Sequence, residues 1–168
     1  DRVREMISEL SCVLKKRDCK VAIVHGNGPQ VGNILIQNAA ARNSVPEMPM
    51  FACVAMSQGE IAYLLQQSIT DLYPKRQTAT VISRVEVSSA DPSFRNPLKP
   101  IGPFYSEKEA AKIVRRAKYV FREDAGRGWR RVVPSPKPIS ILEIKTIENL
   151  FENGIAVISC GGGGRVAE

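Results

Sequence analysis

The chain has 168 residues, 43% hydrophobic and 24% charged, the balance of a folded globular protein with enough length for one ordinary core. It contains no apolar run of about 18 residues, so no membrane span is expected, and the opening Asp1-Arg2-Val3-Arg4 has no basic-then-apolar signal segment; an intracellular, cytoplasmic protein is implied. The net charge of +7 admits nucleic acid, anionic membrane or phosphorylated ligands as partners, but the largest basic group (Arg122, Arg127, Arg130, Arg131, Lys137) is interleaved with Gly and Pro rather than aromatics, which argues against a nucleic-acid surface. Val3, Met6, Ile7, Leu10, Val13 and Leu14 then recur at helical spacing, so the chain opens inside an amphipathic helix.

Val21-Ala22-Ile23-Val24 is short, mostly β-branched and without alternation, which predicts a central parallel strand buried on both faces. It runs into His25-Gly26-Asn27-Gly28-Pro29, a turn, after which Pro29 at the helix start and Val31, Ile34 and Leu35 predict a second helix. Ser57-Gln58-Gly59-Glu60 reads as a capping box opening a third helix with Ile61, Leu64 and Leu65 on its inner face. Thr80 to Val87 reads as a strand.

Residues 91–138 differ in texture. They hold seven of the eleven prolines, one short helix capped by Ser106 with Glu109, and strand-like pieces around Tyr119 to Phe121 and Arg131 to Val133. This segment is expected to be an inserted subdomain between 1–90 and 139–168. The main pattern resumes with a Ser140/Glu143 capping box, a helical face of Ile144, Ile147, Leu150 and Phe151 ended by Gly154, and a strand from Ile155 to Ser159 that enters Gly161-Gly162-Gly163-Gly164.

Helices alternating with short apolar strands imply an α/β protein with a parallel sheet, and such sheets bind ligands beyond the carboxyl ends of their strands. Both glycine-rich turns fall there. Gly26, Asn27 and Gly28 ahead of a helix suit a phosphate or carboxylate, because backbone N–H groups and the helix dipole favour an anion; a plain tight turn is the competing reading. Gly161, Gly162 and Gly163 would let a substrate approach bare backbone, or would form only a flexible turn. His25, the single histidine, fits a hydrogen-bonded structural role better than a base. Lys99 lies between Pro97 and Pro100, which limit the directions its ammonium takes and suit a point charge for phosphate, although a solvated loop lysine is the plainer reading. Asp124 with Arg127 and Arg130 would build a lid over an anion or a salt-linked hinge. Cys12, Cys19, Cys53 and Cys160 show no metal-ligand spacing and read as reduced thiols.

Four blocks carry a family resemblance: His25-Gly26-Asn27-Gly28-Pro29-Gln30-Val31-Gly32, Ala55-Met56-Ser57-Gln58-Gly59, the stretch Asn96-Pro97-Leu98-Lys99-Pro100-Ile101-Gly102-Pro103-Phe104-Tyr105, and the stretch from Glu123 to Pro136. In order and content the chain resembles the carbamate kinases of the amino-acid kinase superfamily. The resemblance implies an open αβα sandwich with a mainly parallel sheet and a small protruding α+β subdomain at 91–138. It implies Mg-dependent, reversible phosphoryl transfer between ATP and carbamate, giving ADP and carbamoyl phosphate, with homodimerisation and a role in arginine catabolism. Carried over by position, Gly26, Asn27, Gly28, Gly161, Gly162 and Gly163 bind substrate and Lys99 is catalytic. The family's first strand with its Gly-Gly-Asn loop would precede Asp1, and its nucleotide-binding part would follow the second glycine turn. The 168 residues are therefore expected to be an incomplete and inactive acceptor half, poorly soluble alone. The alternative of a different class is a noncatalytic anion-binding or dimerisation module. Arg165 to Glu168 depart from the family pattern and receive no role.

Overall fold

The computed structural model describes residues 2–16, 18–116, 119–159, 161–162 and 164–167, with backbone alone for 116 and 164–167. The chain divides into two compact units. The first comprises Asp1–Asn27, Val54–Val85 and Ser140–Gly163; the second comprises Gly28–Cys53, Glu86–Ile139 and Gly164–Glu168.

The first unit is built on a parallel sheet. Strands β1 (Ala22–Val24), β2 (Thr78–Thr80) and β8 (Ala156–Ser159) lie in the order β1-β8-β2, with Ala22 opposite Val157 and Val24 opposite Ser159. All four residues of β8 are buried, so both of its faces are covered. Helices α1 (Arg2–Glu9), α2 (Ser11–Leu14) and α4 (Met50–Leu72) place Ile7, Leu14, Ala62, Leu65 and Ile69 around Ile158. Helix α6 (Ile144–Glu152) also packs against β8.

Several expectations are corrected here. The apolar run at 21–24 forms a strand, but among the described residues β8 is the central one and β1 lies at the edge, with Val24 68% exposed. Apolarity marks a strand that can be buried; its place in the sheet is set by pairing partners distant in sequence. Ser57 is not an N-cap. The helix has already begun at Met50, where Ala52 N–H donates to Pro49 O at 3.0 Å, so Ser57 sits mid-helix and fully buried. The pair Ser140/Glu143 is not a capping box either. Ser140 belongs to β7 (Pro138–Ile141), and the Glu143 carboxylate accepts from Arg84 N–H at 2.7 Å and Arg84 Nε at 2.6 Å. Burial alone would raise the Glu143 pKa, yet these hydrogen bonds hold it below the usual value. Lastly, 80–87 is not one strand: it runs from the last residue of β2 into β3 (Val85–Ser88), through a connection that holds the buried Ser83.

The second unit contains α3 (Gly28–Ala41), which packs against β4 (Lys99–Tyr105). With β5 (Val120–Glu123) and β6 (Trp129–Val133), β4 forms an antiparallel sheet in the order β4-β6-β5. A strand through Pro100 and Pro103 reads as a loop from sequence. It is tolerated because β4 is an edge strand whose pairing with β6 shifts register between Ile101 and Tyr105, with Gly102 at φ 70°. Helix α5 (Glu107–Arg116) starts with the expected capping box: Ser106 N–H donates to Glu109 Oε2 at 2.9 Å and Glu109 N–H to Ser106 Oγ at 3.3 Å. A further sheet has the order β7-β3-β9, β9 being Gly164–Ala167. Among the described residues no helix is long and apolar enough to cross a membrane.

Candidate functional site

Because β1 and β8 run parallel with Val24 opposite Ser159, the segments that follow them leave neighbouring strands at one level. The connection after β2 leaves the same end, with Val81 N–H still donating to Ile158 O at 2.9 Å. Three loops therefore meet at the carboxyl end of the first unit's sheet, the expected place for a ligand.

The loop after β1 carries His25, Gly26 and Asn27. Asn27 Nδ2 donates to Ser57 Oγ at 2.8 Å, and Ser57 Oγ donates to Val54 O at 2.6 Å. Gln58 is satisfied by the other two loops: its Oε1 accepts from Ser83 N–H at 2.9 Å, and its Nε2 donates to Ser83 O at 3.0 Å and Gly162 O at 2.8 Å. His25 packs its ring over Gly161, where an added Cβ would lie 2.5 Å from His25 Cε1 and 2.7 Å from Gln58 Cγ. The histidine thus serves as packing against the second turn.

The glycines differ in what constrains them. Gly161 has no room for a side chain, and Gly162 has φ +89° with the Asn27 side chain beside it, so local packing and backbone explain both. At Gly26 and Gly28 a Cβ would meet nothing within 4 Å and φ is ordinary, so nothing in the described fold demands glycine there. Bare backbone with open space before it is what an approaching ligand needs.

Of the residues singled out from sequence, Gly26, Asn27, Gly161 and Gly162 come together in the first unit. Gly163 lies outside the described residues. Gly28 opens the 14-residue α3 of the second unit. Lys99 also belongs to that unit, exposed at the start of β4 and opposite Val133. The loop before Lys99 is held in place, since Arg122 Nε donates to Pro97 O at 3.1 Å and Arg122 Nη2 to Asn96 Oδ1 at 2.5 Å. Asp124 is salt-linked on both sides: it bonds Arg127 and Arg130 at 3.2 Å each, and both guanidinium groups lie over the Phe104 ring. Chiefly the Arg130 hydrogen bond holds the Asp124 carboxyl below its usual pKa.

The sequence pattern does not mark Ser57, Gln58 and Ser83 as partners of these loops. The signal there is two adjacent polar residues directly after the apolar stretch 50–56, which points to a buried polar contact as readily as to a cap. Ser83 gave no signal.

No protein-family model matches the chain. A curated carbamate kinase from Enterococcus faecium is 53% identical over 156 residues, 90% of this chain and 50% of that protein. This chain is homologous to carbamate kinases. The solved carbamate kinase of Giardia lamblia bound to AMP-PNP superposes with a TM-score of 0.84 at 40% identity, covering 98% of this chain and 52% of that one. A crystal structure from Aeropyrum pernix K1 superposes with a TM-score of 0.89 at 38% identity, covering 99% and 55%. At these identities the shared α/β architecture with its parallel sheet is the carbamate kinase fold. The chain spans about half the length of the carbamate kinases it matches.

Proposed function

We propose that this chain is the carbamate-binding part of a carbamate kinase. The observation that carries the reading is the meeting of two glycine turns at the ends of adjacent parallel strands, one of them with open space in front of Gly26 and leading into the N-terminus of α3. Oriented N–H groups and a helix dipole there stabilise negative charge, which carbamate and a transferring phosphoryl group both bring.

In the proposed reaction a carboxylate oxygen of carbamate attacks the γ-phosphorus of ATP and the bond to the β-phosphate oxygen breaks, giving ADP and carbamoyl phosphate; the reverse step forms ATP. Such transfers depend on positioning and charge neutralisation rather than covalent catalysis. Gly26, Asn27 and Gly28, with Gly161 to Gly163, would hold carbamate and the phosphoryl group, and Lys99 would supply a compensating cation. Its support is an exposed lysine at the start of β4, directly after a loop that Arg122 fixes.

ATP and its magnesium would be bound by parts of a carbamate kinase other than these. Among the described residues no three His, Cys, Asp or Glu side chains stand together as a metal site. The reading includes a cytoplasmic homodimer acting in arginine breakdown, and no turnover by the 168 residues alone. The test is a coupled assay of ATP formation from carbamoyl phosphate and ADP, on this chain and on a version extended to carbamate kinase length. Turnover by the extended version only is expected. Turnover by neither would sink the reading in favour of a noncatalytic anion-binding module.

A further inference from the structure

Two consecutive residues of α4, neither among the proposed ligand contacts, reach all three loops at the end of the parallel sheet. Ser57 holds the loop after β1 through Asn27, and Gln58 holds the connection after β2 through both backbone atoms of Ser83 and the turn after β8 through Gly162 O. Gln58 is 2% exposed, and its two amide N–H groups go to two backbone carbonyls. A primary amide has no third donor, so Gln58 has none left for a substrate. Its stem also closes the space at Gly161, where an added Cβ would fall 2.7 Å from Cγ.

We propose that Ser57 and Gln58 are a positioning pair that sets the spacing of the anion-binding loops before any ligand arrives. The proposal rests on the carbamate kinase reading for the identity of the anion. Its physical basis is independent. Anion-binding N–H groups are effective when they need no reorganisation on binding, and two glycine turns do not hold their own geometry. A helix that crosses beneath both turns and bonds their side chains and carbonyls supplies the missing rigidity, as supporting residues do for any preorganised site. Glutamine suits this task because it offers donors and an acceptor at once. It pairs with an N–H and two carbonyls, which a carboxylate or an apolar side chain of similar size cannot do.

The test uses this chain, carbamoyl phosphate as the probe, and amide hydrogen exchange resolved by residue. Gln58→Met keeps the side-chain volume and removes the three hydrogen bonds. It is expected to speed exchange at Ser83, Gly161 and Gly162 and to weaken carbamoyl phosphate binding by about tenfold or more, the factor corresponding to one lost hydrogen bond. Exchange in α6 and at Ile158 should stay unchanged, which a general loss of folding would not allow. Wild-type affinity and wild-type exchange in Gln58→Met would overturn the proposal. If that variant does not fold, Ser57→Ala decides: faster exchange confined to His25, Gly26 and Asn27 supports the pair, and unchanged exchange there overturns it. A wild-type chain that ignores carbamoyl phosphate would refute the anion's identity, and the exchange results would still decide the positioning role.

Discussion

Gly161 sits where a methyl group would overlap His25 Cε1 and Gln58 Cγ, both at less than a van der Waals separation. Gln58 is not free to yield, because three hydrogen bonds fix it, and the His25 ring would have to leave the turn. Gly161→Ala is therefore expected to destabilise the fold by about 1–3 kcal/mol, the range for overpacking, measured by urea denaturation. Gly26→Ala, with open space and ordinary φ, should leave stability within about 1 kcal/mol of wild type, and on the proposed function it should weaken carbamoyl phosphate binding. Lys99→Ala in a carbamate-kinase-length version is expected to lower kcat by about a hundredfold or more if its ammonium acts as a preorganised charge donor. Unchanged kinetics would remove Lys99 from the site. Asp124 gives a pH prediction. Its carboxyl is held below the ordinary 3.8 first by Arg130, against the opposing effect of burial, and then by Arg127. The ion pairs therefore contribute fully above that pH and are lost as the pH falls through the lower folded value. In an NMR titration, Arg130→Ala should move the Asp124 midpoint upward.

Among the elements, α5 shows the closest agreement between local sequence and local structure. Its first turn is closed by the reciprocal Ser106/Glu109 bonds, and Ser106→Ala should cost about 1 kcal/mol, readable as faster amide exchange at Glu107 to Glu109. The same four-residue signature misled at 57–60 and 140–143. Capping chemistry is a statement about side chains near free N–H groups, and it has no bearing when the helix has started seven residues earlier or when a partner such as Arg84 competes for the carboxylate. Strand existence was legible at Val21 to Val24 and Ile155 to Ser159 because β-branched runs have few alternatives. Strand rank was not, since burial of β8 and exposure of Val24 depend on which strands pair across long stretches of chain. That the two glycine turns meet was legible from their position after parallel strands. Their support by Ser57, Gln58 and Ser83 was not, because buried hydrogen bonds between distant segments leave no local pattern. The edge strand β4 was concealed by its two prolines.

For the molecule, the match to carbamate kinases extends over nearly all of this chain and about half of theirs. Its formal charge of +7 accords with the proposed binding of anions but does not identify them. The placement of β8 has a kinetic consequence for synthesis. Among the described residues β1 and β2 each pair only with β8 in their sheet, yet β8 lies far along the chain from β1. On a ribosome adding about 5–20 residues per second, the first two strands must wait several seconds for the strand that joins them. Their backbone edges and the apolar faces of α1 and α4 are open to chaperones and to aggregation during that interval. Yield from expression should therefore respond more strongly to slower translation or added chaperone than the stability of the finished fold would suggest.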